Sequence, residues 1–139
     1  MERVAERLAR YFAARKPPGV AAAYLFGSQA RETAHRESDV DVGVLFDPQA
    51  VPDRSGRDGA ACLLGSELIA AAHHNRVDVV VLNDASPELA VQVLAGGSAL
   101  YVADPACDHA FRRTALLRYA DLRPFLDRMR RIKLEALTR

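Results

Sequence analysis

Two small residues and three carboxylates are the parts of this 139-residue sequence whose types and spacing could do chemistry. Gly27-Ser28-Gln29-Ala30-Arg31 follows an apolar run, and ten residues separate Ser28 from Asp39-Val40-Asp41. Gly27 leaves room for a phosphate to approach the backbone, while Ser28 can cap a following helix and offer its hydroxyl to a phosphate oxygen. The amides at such a helix start favour an anion. Residues two apart on a strand point to one face roughly 7 Å apart, so Asp39 and Asp41 can share a magnesium ion, or two. A metal so held would polarise the α-phosphate of a nucleoside triphosphate and stabilise departing pyrophosphate. Asp78 lies early in the apolar run Val77 to Leu82, where a charge is costly unless it meets a metal or a donor. It could accept the proton of an attacking hydroxyl. Arg31, one turn into the helix, could reach phosphate oxygens with its planar fork.

Each piece also has a plain structural reading. Gly-Ser is an ordinary turn, Asp-x-Asp an exposed strand edge, Asp78 a partner for Arg76, and Arg31 a surface partner for Glu32. Their coincidence after an apolar strand is what favours the functional reading. His73-His74 looks like a metal pair, but neighbours on a helix face different ways, and a helix C-terminus is the better assignment.

The elements that must position these groups follow from periodicity. Val4, Leu8, Tyr11 and Phe12 recur at helical spacing until Pro17-Pro18-Gly19, so an amphipathic helix spans residues 2 to 15. Val20 to Phe26 reads as a short apolar strand running into the Gly27-Ser28 turn and a short helix, and Asp39 to Phe46 alternates as a second strand. Residues 48 to 59, with two prolines and two glycines, read as a surface loop. A helix from Ala60 to His74, a strand from Val77 to Leu82, a helix capped by Ser86 with Pro87 at its first position, and a strand from Ala99 to Val102 complete the body. From Asp108 onward Phe111, Leu116, Tyr119, Leu122, Phe125, Leu126, Met129 and Ile132 mark a helical stripe that needs something to pack on, with Pro124 expected to end or kink it. The alternation argues an α/β or α+β fold whose sheet is covered largely on one side by helices; the strand order is not legible.

The length suits one domain, residues 1–139, with a core at 20–103 and a C-terminal helical segment at 108–139. No stretch approaches the length of a membrane span and the charged N-terminus is unlike a secretory signal, so no membrane partner and a cytoplasmic location are expected. Cys62 and Cys107 lack metal-like spacing and read as ordinary reduced thiols. The net charge of +1 hides a basic tail, with nine Arg or Lys against four Asp or Glu from residue 108 on. A solvated arginine face is the commoner cause of such a tail than nucleic-acid binding. Tyr119 and the arginines around it suit a protein partner.

The pattern Gly-Ser, ten residues, Asp-x-Asp on a strand-turn-helix-strand frame resembles the nucleotidyltransferase superfamily related to DNA polymerase β. The short chain and its segment FGSQARETAHRESDVDVGVLF look like the minimal nucleotidyltransferase (MntA-like) antitoxins encoded beside HEPN-domain toxins. The core of the match covers about residues 20 to 82; Glu32 stands where relatives often carry Gly. The resemblance implies a nucleotidyltransferase fold, a small mixed β-sheet flanked by helices with a C-terminal helix. It also implies that Gly27 and Ser28 bind nucleotide phosphates, that Asp39 and Asp41 bind Mg2+, and that Asp78 is the third acidic residue of the same catalytic and metal-binding set. The implied reaction moves AMP from ATP to a tyrosine of the partner HEPN toxin and silences a ribonuclease. Two other functions stay open: a non-catalytic antitoxin that neutralises by covering its toxin, and nucleotidyl transfer to RNA or a small molecule.

Overall fold

The computed structural model describes residues 2–27, 39–73 and 76–138. Helix α1 (Val4–Arg15) leads into strand β1 (Val20–Phe26), followed by β2 (Val40–Phe46), α2 (Arg54–Ala72), β3 (Val77–Val81), a 3-10 turn (Leu82–Asp84), α3 (Pro87–Gly96), β4 (Ser98–Val102) and α4 (Pro105–Thr138). The four strands form one mixed sheet in the order β3-β2-β1-β4. β1 is antiparallel to β2 and β4, whereas β2 and β3 run parallel.

β1 is apolar without alternation because it is a central strand buried on both faces, its alanines all but inaccessible. On one face Val40, Val42, Val44 and Phe46 pack with Leu8 and Phe12 of α1 and Leu64 and Leu68 of α2. On the other, Ala22, Tyr24 and Leu45 meet Leu82 and Val93, with Phe111 of α4 packed against them. Helices therefore cover both faces rather than largely one. Gly43 lets this second layer come close: a Cβ there would lie 3.1 Å from Leu82 and 3.2 Å from Val93.

The expected surface loop over 48–59 is shorter than its composition suggests. Asp53 accepts a hydrogen bond from the Gly56 amide at 2.6 Å and starts α2 at Arg54, despite two glycines in its first turns. The bidentate pair of Arg57 with Asp84, at 3.0 and 2.7 Å, ties this helix start to the 3-10 turn that follows β3. Ser86 accepts from the Leu89 amide and caps α3 as its residue type suggests. His73 closes α2 in the left-handed conformation, while His74 lies outside the described residues.

Pro124 does not end the last helix, which runs through it to Thr138. The carbonyl four residues earlier, at Ala120, loses its helical donor, but both residues are exposed and water can serve instead. The buried anchor of α4 lies in its first turns, and an exposed pair of Arg130 with Glu88, at 2.9 Å, ties it to α3 further along. The Tyr24 hydroxyl donates to Asp108, and Arg112 bonds both Tyr24 (2.8 Å) and Asp108 (3.1 Å). Burial and the bond to Asp108 push the Tyr24 hydroxyl pKa up to about 12, so it stays a donor. Beyond this anchor Leu116, Phe125 and Ile132 are each more than half exposed.

Candidate active site

The parallel register pairs Asp41 directly with Asp78. Both therefore project from the same face of the sheet, the face shared with Gly43 and Leu45 and packed by α3 and α4. Asp39 stands one residue before β2 and two before Asp41. The chain reverses just beyond Phe26, whose partner across the antiparallel pair is Asp41. Gly27 thus reaches the carboxylates from the end of one strand while Asp39, Asp41 and Asp78 reach them from the starts of two others.

Gly27 has φ of +77°, a conformation that L side chains rarely adopt. A Cβ there would also fall 2.5 Å from Asp41 Oδ2. Two independent constraints, backbone angle and clearance, require glycine where the sequence placed it as a phosphate neighbour. Ser28 and Arg31, the other expected phosphate ligands, lie outside the described residues.

The electrostatics of the cluster centre on Asp41. Its carboxyl is held above the usual range, first by burial and then by the negative charges of Asp78 and Asp39; Arg76 pulls it back down. Arg76 Nε lies 3.6 Å from Asp78 Oδ1 and 3.8 Å from Asp39 Oδ2, a loose bridge between two half-exposed carboxylates. Pairing of Asp78 with Arg76 was the structural alternative in the sequence. The reach of the same arginine to Asp39 was not visible there, because it depends on β2 and β3 lying side by side.

As placed, no three acidic, histidine or cysteine side chains among the described residues converge closely enough to hold a metal ion. The donor chemistry nevertheless fits one. Three carboxylates, hard oxygen donors, stand on or just before two adjacent strands, the charge on Asp41 is opposed by its two neighbours, and Arg76 lies between Asp39 and Asp78. Asp39 and Asp41 are the residues that would hold a divalent cation, exchanging the pull of Arg76 for that of the ion.

A strand-turn thus sets a left-handed glycine against paired carboxylates at the mouths of two parallel strands. Residues 6–106 match the family model described as Polymerase beta, Nucleotidyltransferase. The chain belongs to this nucleotidyltransferase family. Its fold is similar to that of a chain in the crystal structure of a toxin-antitoxin with AMP-PNP, at 28% identity and a TM-score of 0.63, covering 96% of this chain and 98% of that one. A chain from a mutant MntA-HpeT toxin-antitoxin complex is 27% identical, with a TM-score of 0.61 and 94% of each chain covered. A tri-AMPylated HEPN toxin in complex with MNT antitoxin from Shewanella oneidensis includes a further chain of the same fold, at 23% identity, a TM-score of 0.61, and 97% and 99% covered. The expected resemblance to minimal nucleotidyltransferase antitoxins is borne out across nearly the whole chain. No significant match is found among curated proteins. No helix among the described residues is long and apolar enough to cross a membrane.

Proposed function

We propose that this protein is an ATP- and Mg2+-dependent adenylyltransferase that acts as an antitoxin by moving AMP onto a hydroxyl, a tyrosine's, of a cognate HEPN-family ribonuclease toxin. The observation that carries the reading is the in-register pairing of Asp41 with Asp78 beside Gly27, inside a nucleotidyltransferase family match. The AMP-PNP in one similar complex and the AMPylated toxin in a more distant one support the nucleotide and the class of acceptor.

In this reading Gly27 admits the triphosphate to the turn, with Ser28 and Arg31 as further phosphate ligands. Asp39 and Asp41 hold the cation, which when bound neutralises the triphosphate and the developing charge on pyrophosphate. Asp78, on the edge strand, takes the proton of the acceptor hydroxyl. That oxygen bonds to the α-phosphorus as the bond to the pyrophosphate oxygen breaks, so AMP moves to the acceptor and pyrophosphate leaves. Arg76 holds Asp39 and Asp78 in place before the nucleotide arrives.

The test replaces Asp39 and Asp41 together by alanine and follows two readouts, complex formation with the toxin and relief of toxicity. Retained binding with lost neutralisation is the expected result. Full neutralisation by the double variant would instead identify an antitoxin that works by covering its target.

A further inference from the structure

β3 is an edge strand, and among the described residues one of its sides is unpaired. Val77 pairs with Val40, and the Val40 amide donates to the Arg76 carbonyl at 3.3 Å. In a parallel ladder of that register, Arg76, Asp78 and Val80 turn their backbone groups toward β2, which leaves the N–H and C=O of Val77, Val79 and Val81 pointing away from the sheet. Among the described residues no strand pairs with them. Such an edge is a template for another extended chain.

This edge lies at the floor of a cleft of about 730 Å³ that straddles the sheet. One wall is α2, through Cys62, Gly65 and Ile69; the other is the start of α3, through Ser86 and Leu89. Gly65 keeps the α2 wall low: even a Cβ there would only reach van der Waals contact with Val79, at 3.6 Å. Asp78 itself lines the cleft. A chain added along β3 would send alternate side chains to the two faces. One set would meet the α2 wall, where Ala61, Cys62 and Ile69 are interspersed with Arg54, Asp58 and Ser66. The other would project on the face of Asp78, and directly opposed residues on neighbouring strands stand about 5 Å apart.

We infer that the cleft beside β3 is the docking site for the acceptor segment of the protein substrate, bound as an added, fifth strand that sets its acceptor hydroxyl next to Asp78. The inference rests on the adenylyltransferase reading above and supplies what that reading lacks, the means by which a macromolecular acceptor is held beside Asp78. The occupant is the extended acceptor segment of the protein substrate, with small side chains of mixed polarity toward α2 and the hydroxyl-bearing residue on the opposite face, beside Asp78. Backbone pairing supplies affinity, and the cleft walls supply register. The Arg57–Asp84 pair bolts the far end of the cleft by joining α2 to the 3-10 turn after β3.

Cys62 gives a direct test, since it is exposed in the cleft while Cys107 is partly buried, with a thiol pushed up in pKa chiefly by that burial. The protein is treated with a bulky maleimide, alone and in complex with its toxin partner, and adenylyl transfer to the partner is followed with ATP binding and thermal stability as controls. Partner-bound protein should be shielded from the reagent. Pre-labelled protein should transfer to the partner about tenfold more slowly or worse, with ATP binding retained, while treatment leaves the rate of Cys62→Ser as it was before. Val79→Pro, which removes an outward N–H and no ladder bond, should reduce transfer in the same way. Unchanged transfer by the labelled protein and by Val79→Pro would overturn the docking and leave the adenylyltransferase reading standing. Shielding of Cys62 that depends on the concentration of this chain alone would overturn it in favour of a second copy at the edge. Partner shielding of Cys62 without any transfer from untreated protein would sustain the docking and remove the transferase reading.

Discussion

Gly27 and Asp41 face each other so closely that the first side-chain atom added to Gly27 would stand 2.5 Å from Asp41 Oδ2. Gly27→Ala therefore meets two costs, a left-handed backbone that disfavours a Cβ by roughly 1–2 kcal/mol and displacement of a carboxylate from its position. The variant should fold with a Tm lower by ~5 °C and lose transferase activity by about a hundredfold or more. Calorimetry alongside an activity assay checks both.

Asp41 is an acid whose ionisation the fold opposes, by burial first and by Asp78 and Asp39 next. Raised in the folded state, its pKa makes the native protein bind more protons than the unfolded chain between the ordinary and raised values, so stability falls as pH rises through that window. Asp41→Asn removes the repulsion. It should abolish transfer while raising stability at neutral pH by about 0.5–1 kcal/mol, the usual sign of function held at a cost to the fold. Denaturant unfolding at pH 7 measures it.

If Asp41 holds the cation as proposed, it must be ionised to do so, and activity should fall on acidification at a higher pH than an ordinary carboxylate would give. Arg76 lowers that pKa. Arg76→Gln should move the acidic limb of the kcat/KM profile upward, the profile that reports groups of the free enzyme. A limb that stays in place, or moves down, would mean that Arg76 does not act on Asp41.

The anchor of α4 is separable from the chemistry. Tyr24→Phe removes the hydroxyl that links buried Asp108 to Arg112, which should cost about 1–2 kcal/mol. Tyr119→Phe, further along the same helix and outside this network, should change stability by less than about 0.5 kcal/mol. Comparing their melting temperatures tests whether the buried network in the first turns is what fastens that end of the helix.

What could be read from the sequence was local. Val20 to Phe26 is a strand because an apolar run of β-length ends at a glycine, and Ser86-Pro87 starts α3 because cap and first-turn chemistry are written in those two residues. The Asp-x-Asp pair was legible for the same reason, as strand alternation. The start of α2 at Arg54 was hidden by Gly56 and Gly59, whose low helix propensity is overridden by the Asp53 cap and the Arg57–Asp84 pair. Pro124 misled because an exposed helix can leave a carbonyl to water. Strand order, the closeness of Asp41 to Asp78, the double reach of Arg76 and the open edge of β3 all depend on which strands lie side by side, and that is decided by packing between segments far apart in the chain.

The most direct measurement is intact-mass spectrometry of this protein and its partner after incubation with Mg2+ and ATP. The partner should gain whole AMP units, and the gain should vanish with Asp39→Ala/Asp41→Ala although the complex still forms. A tightly bound partner whose mass never changes, or one that gains AMP equally from the double variant, would contradict the assignment of these carboxylates to nucleotidyl transfer.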